Sequence, residues 1–163
     1  MMHQTLYMQG MDDLRELARN RCLGHAARQA ARAVTRSYNS ELRSVDLTAG
    51  QFGLLVAIDA MPGAALAALA QATGADETTV VRGIKPLERQ GLVERTGRLG
   101  RDGRGARLTP IGEKRFAIAL MSWSSAYRRV VDALGGEAEA DRVLRALGDL
   151  SQATTAARTE VER

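Results

Sequence analysis

The chain has little that covalent or cofactor chemistry could use. Its one cysteine, Cys22, cannot form an intramolecular disulfide. Its two histidines, His3 and His25, are far apart and leave no zinc-type ligand set. Paired carboxylates at useful spacing, a Ser/His/Asp or Cys/His set and a phosphate-binding loop are all missing, so neither an enzyme nor a cofactor is expected. No apolar run approaches the roughly 20 residues that cross a bilayer, so no membrane partner is expected. The start of the chain lacks a basic region followed by an apolar block, and a cytoplasmic protein is the expectation. Aromatic residues make up only 4 %, so the core has to be built from Leu, Ala and Val. Neither an internal repeat nor a low-complexity tract is visible.

What is present points to helices and to a localised positive charge. With 163 residues and 45 % hydrophobic content, the chain can form one core, extended by further helices. The net charge of +4 is modest, so its placement matters more than its size. From Arg98 to Arg115 there are six Lys/Arg against Asp102 and Glu113, so the whole excess can sit in that stretch.

Apolar spacing of three and four predicts a long helix over 12–44, through Leu23, Ala30, Val34, Tyr38 and Leu42, with Asp12 or Asp13 as its cap. Residues 1–11 are set aside, because Leu6-Tyr7-Met8-Gln9-Gly10 resembles the remnant of a protease-tag site. A second helix is expected over 49–61, capped by Thr48, with Phe52, Leu55, Val56 and Asp59/Ala60 in phase, and stopped by Pro62-Gly63. A third covers 65–73 and ends at Gly74. Asp76 caps a fourth that ends at Gly91, where glycine takes the left-handed conformation. Leu92–Thr96 and Ala106–Thr109 read as two strands of a hairpin around a glycine-rich tip. Pro110 starts the next helix with Thr109 as its cap. Gly135-Gly136 separates that helix from a last one beginning near Glu137.

The fold class expected is mainly α with a small β-hairpin wing. A winged helix-turn-helix lobe over 49–109 would be joined to dimerisation helices over 12–48 and 110–163. The short glycine turn at residues 72–75 suits a helix-turn-helix. Leu66, Leu69, Ala70, Val80, Ile84 and Leu87 would lock its two helices together. The second of them would enter the major groove of double-stranded DNA. Thr78 and Thr79 can hydrogen-bond or meet a thymine methyl, and Arg82 can read guanine through two hydrogen bonds. Lys85 and Arg89 lie where phosphates are reached. Gly83 suggests close approach by a phosphate or a neighbouring helix, and Pro86 should bend the helix. At the wing, Arg98, Arg101, Arg104 and Arg107 suit a narrow minor groove, with Asp102 holding Arg104. The terminal helices carry apolar stripes that a small lobe cannot cover alone, so a homodimer is expected.

The runs Leu66-Ala67-Ala68-Leu69-Ala70, Asp76-Glu77-Thr78-Thr79-Val80-Val81-Arg82, Leu87-Glu88-Arg89-Gln90-Gly91-Leu92-Val93-Glu94-Arg95, Asp102-Gly103-Arg104 and Leu108-Thr109-Pro110-Ile111-Gly112 resemble the MarR family of bacterial regulators. The likeness extends over about residues 20–135. It implies a triangular homodimer, a palindromic operator, and usually repression relieved by a small ligand or an oxidant. Asp102 and Arg104 match the family's Asp-x-Arg pair in the wing, although the interval to Leu108-Thr109 is shorter than usual.

Within that family the organic-hydroperoxide sensors carry a reactive cysteine near the start of the first helix. Cys22 has that place, but Leu23-Gly24-His25-Ala26 follows it and the sensors' aromatic pattern is missing. Thiol sensing through Cys22 is therefore an alternative reading, with His25 able to lower the thiol pKa. Trp123 and Tyr127 lie one turn apart and read first as core. By family analogy they would line an effector cleft with Tyr38 and His25, where an aromatic acid pairs with Arg32 or Arg36. From another class, the rival is a winged-helix protein–protein adaptor with a basic wing.

Overall fold

Cys22 divides what the periodicity predicts as one helix. In the computed structural model, α1 spans Met2–Arg21 and α2 spans Leu23–Leu42. The structure describes residues 2–97 and 105–161, with side chains over 10–97 and 105–160. The Cys22 carbonyl accepts from the N–H groups of His25 (3.0 Å) and Ala26 (3.1 Å), and so starts α2. The apolar spacing runs on through this junction, which is why it is invisible to periodicity; Gly24, a poor helix former, marks the new start. Residues 2–11, set aside above, are helical in α1. Asp12 and Asp13 consequently lie inside a helix rather than capping one, and Asp12 pairs with Arg15 at 2.8 Å.

The chain forms two units, Met1–Ser37 and Tyr38–Arg163. In the first unit Leu14, Leu17, Leu23 and Val34 are exposed. The second unit holds the core. There α2 ends at Leu42, a 3-10 turn covers Arg43–Val45, and Asp46 takes a left-handed φ of 55°. Arg115 donates to the Val45 carbonyl at 2.9 Å and fastens this turn to the helix that follows the wing.

Helix α3 spans Ala49–Ala60 behind a capping box: Thr48 Oγ1 accepts from the Gln51 N–H, and Gln51 Oε1 accepts from the Thr48 N–H. Its buried face is Phe52, Leu54, Leu55, Ala57 and Ile58, while the expected Val56 and Asp59 are exposed. The helix is apolar almost all round, so its spacing does not single out the buried side. Helix α4 covers Leu66–Thr73 and closes on Gly74 at φ 65°. Helix α5 covers Glu77–Arg89 and continues through Pro86. Leu55, Ile58, Leu69, Ile84 and Leu87 are fully buried and tie the three helices into one core, joined by Leu42, Phe116 and Ala119.

After Gly91 (φ 67°), β1 (Val93–Thr96) pairs antiparallel with β2 (Gly105–Leu108), Val93 opposite Leu108 and Glu94 opposite Arg107. Both strands begin one residue away from the expected positions. Leu92 instead packs in the core, and its carbonyl accepts from the Thr109 N–H at 3.0 Å. Thr109 itself caps α6 (Pro110–Leu134), its Oγ1 accepting from the Gly112 N–H and donating to the Gly91 carbonyl. A Cβ on Gly112 would lie 1.9 Å from the Leu92 oxygen, so only glycine lets α6 start against the hairpin. Helix α7 spans Glu137–Val161.

Candidate nucleic-acid interface

The best-defined surface for a nucleic acid is the outer side of α5. Its alternation of apolar and polar residues places Val80, Ile84 and Leu87 inside and leaves Thr78, Thr79, Arg82, Lys85 and Arg89 exposed. Among the described residues Arg82, Lys85 and Arg89 form no ion pair. With Pro86 and Glu88 they border a shallow depression of about 380 Å³ that carries more cationic than anionic groups. Unpaired guanidinium and ammonium groups on one helix face suit phosphates and guanine edges.

Asp76 sets the start of this helix. Its carboxylate accepts from the Thr79 N–H at 2.7 Å and from the Thr79 hydroxyl at 2.9 Å. Those two bonds, the backbone one foremost, hold its pKa below the ordinary carboxylate value. The Thr79 hydroxyl proton is thereby directed at Asp76, whereas Thr78 is exposed beside it. At Gly83 the expected close approach is that of a neighbouring helix: a Cβ there would lie 2.4 Å from Leu54 Cδ1 of α3.

The far end of α5 is tied to the wing by a pair that sequence reasoning missed. Arg95 Nε of β1 donates to Glu88 Oε1 at 2.9 Å, and both side chains are largely buried. Opposite charges flanking the Gly91 turn are the signal that could have revealed it. Across the hairpin, Arg107 Nε donates to Glu94 Oε1 at 2.6 Å with both groups exposed. Arg107, expected at the DNA, is thus a cross-strand partner in this structure. Arg98, Arg101, Asp102 and Arg104 lie outside the described residues.

The expected effector residues separate into two groups. His25 and Arg32 are exposed on the first unit. Tyr38, Trp123 and Tyr127 come together in the second: Trp123 meets Tyr38 edge-on at 6.3 Å and stacks on Tyr127 at 5.1 Å. Phe52, not anticipated there, also stacks on Trp123 at 5.8 Å and links the aromatic group to the core. The Tyr127 hydroxyl donates to Glu137 Oε2 at 2.9 Å, which raises the phenol pKa above its usual value. Cys22 is exposed at the α1–α2 junction. Among the described residues no group of His, Cys, Asp or Glu could hold a metal ion, and no helix is long and apolar enough to cross a membrane.

A glycine-turned helix pair with an exposed cationic second helix, followed at once by a two-stranded wing, defines a winged helix-turn-helix DNA-binding protein. A sequence profile of the MarR family matches residues 45–105. The HTH-type transcriptional regulator YybA of Bacillus subtilis (strain 168), itself uncharacterized, is 32 % identical over 116 residues, covering 64 % of this chain and 77 % of the relative. The M. tuberculosis transcriptional regulator MosR, crystallised in complex with DNA, superposes with a TM-score of 0.74 at 28 % identity, over 84 % of this chain and 98 % of that one. The transcriptional repressor CouR bound to p-coumaroyl-CoA superposes with a TM-score of 0.70 at 27 % identity, over 80 % and 91 % of the two chains. The chain belongs to the MarR family of DNA-binding transcriptional regulators.

Proposed function

We propose that the protein is a homodimeric repressor that reads a palindromic operator and is released from it by a small aromatic ligand. The observation that carries the reading is the division of α5 into a buried apolar side and an exposed side bearing Thr78, Arg82, Lys85 and Arg89. Arg82 reads a base, Lys85 and Arg89 hold phosphates, and the wing arginines Arg98, Arg101 and Arg104 add affinity, with Asp102 as the clamp on Arg104. Two copies related by a dyad would place two α5 helices about one helical turn of DNA apart.

Exposed apolar residues support the dimer. On α7, Leu144 is 59 % and Leu147 48 % exposed, and on α6 Met121 is 73 % exposed. Exposed apolar side chains of this kind on α6 and α7 are what a second copy would cover, which supports dimerisation regions over 12–48 and 110–163 beside the DNA-binding lobe over 49–109. Release by a ligand is supported by the likeness to CouR, which was crystallised with p-coumaroyl-CoA.

The experiment is selection of operator sites from random duplex DNA, followed by an electrophoretic shift series on point-mutant operators with the parent and Arg82→Ala proteins. A palindromic consensus, with one symmetric base position relaxed by the substitution, is expected. Selection of no consensus would overturn the reading and favour an adaptor that meets an acidic protein.

A further inference from the structure

The second unit contains a cavity that the DNA-reading surface does not use. It has a volume of about 370 Å³ and lies between the first turns of α3 and the first turns of α5. Leu54 and Val80, both buried, and Gly83 are among its lining residues, and Gly50 and Gly53 leave it open.

The opening exists because side chains are missing. A Cβ built on Gly50 or on Gly53 meets nothing within 4 Å. Gly53, inside the helix, costs about 1 kcal/mol relative to alanine. Packing within the chain does not require either glycine, unlike Gly83, where Leu54 occupies the space. The size falls in the range of small-molecule pockets, roughly 300–1,000 Å³.

The chemistry of the lining selects the occupant. None of its side chains is charged. Three of its hydroxyls already hold a partner: Thr48 Oγ1 accepts from the Gln51 N–H, Thr73 donates to the Leu69 carbonyl, and Thr79 donates to Asp76. A carboxylate or phosphate entering it would lose water without gaining a cation. An apolar ring would gain contact with Leu54, Val80 and three glycine backbones at no such cost.

We propose that this cavity is a binding site for a small uncharged aromatic molecule of one or two rings, held between α3 and the DNA-reading helix. The proposal rests on the reading of α5 given above only for its regulatory meaning: Thr79, Val80 and Gly83 put any occupant in direct contact with that helix.

Indole and benzoate are the probes, titrated into the full chain without DNA and followed by the backbone amide resonances of Gly50, Gly53 and Gly83. Indole should shift all three saturably, and benzoate should bind at least about tenfold more weakly. Gly53→Val fills the space and should weaken indole binding at least about tenfold. Gly148→Ala on α7, another helical glycine with open space at its Cβ, should leave binding unchanged. Thermal melting of both variants shows that they fold. Indole binding that persists in Gly53→Val, benzoate binding as tightly as indole, or no saturable shift at those glycines would each overturn the site. Loss of operator affinity in Gly53→Val without ligand would also overturn it, because the glycines would then serve DNA approach. Failure of the parent protein to select an operator would instead contradict the proposed function, since the resonance titration involves no DNA.

Discussion

Arg95 on β1 and Glu88 in the last turn of α5 are joined at 2.9 Å, so the wing's first strand is bolted to the helix that carries the cationic face. A second nitrogen of the guanidinium, Arg95 Nη1, is buried with no hydrogen-bond partner among the described residues. The arrangement leaves Arg95 dependent on Glu88. Glu88→Ala should destabilise the fold by about 2 kcal/mol, since a hydrogen-bonded charge loses its partner in a poorly hydrated place. Urea denaturation checks the stability change. An electrophoretic shift should show weakened operator binding with an unaltered salt slope, because a carboxylate neutralises no phosphate.

Gly112→Ala should be more damaging than any surface change. The added methyl meets the Leu92 carbonyl, which is backbone and held by Thr109. A cost of about 3 kcal/mol or more is expected, read from the shift of the urea midpoint.

Helix ends are legible in the sequence wherever a cap residue and a stop residue stand in the right order. Thr48, Asp76 and Thr109 all cap as read, and Gly74, Gly91 and Gly135 close helices in the left-handed conformation. The break at Cys22 is not legible, because the apolar spacing keeps its phase across it and no proline marks it. The buried side of α3 is blurred for the opposite reason, since too many of its positions are apolar. On the candidate site, the exposure of Arg82 and Lys85 follows from the helical period alone. The engagement of Arg107 by Glu94 needed the strand register, and the Glu88–Arg95 pair needed the packing of α5 against β1.

Acid should act on α5 through Asp76. Its folded pKa is depressed, so its contribution to stability is complete above the ordinary carboxylate value of about 4 and is lost as pH falls through the lower folded value. Asp76→Asn removes this titration. Thermal melts from pH 6 down to 2 should show the parent protein's advantage over the variant shrinking below about pH 4. A gap that stays constant across that range would count against the role given to the two Thr79 bonds.

Charges on the apolar row of α7 should separate the protomers without unfolding them. Leu144→Glu and Leu147→Glu alter side chains that are exposed in the single chain. Sedimentation velocity should report a monomer for the double variant and a dimer for the parent, with melting of the core helices little changed. Operator affinity should fall steeply, because two half-sites would no longer be bound as one.

Base reading by Arg82 is the central step of the proposed function. The decisive measurement is the affinity of the parent and Arg82→Ala proteins for the selected operator, its symmetric single-base variants and a random duplex, at one fixed salt concentration. The parent should prefer the operator over random DNA by at least about 10³-fold, and Arg82→Ala should lose ~1–3 kcal/mol of discrimination at one symmetric base position while keeping it elsewhere. Equal affinity for operator and random duplex, or unchanged discrimination at every position in Arg82→Ala, would contradict it.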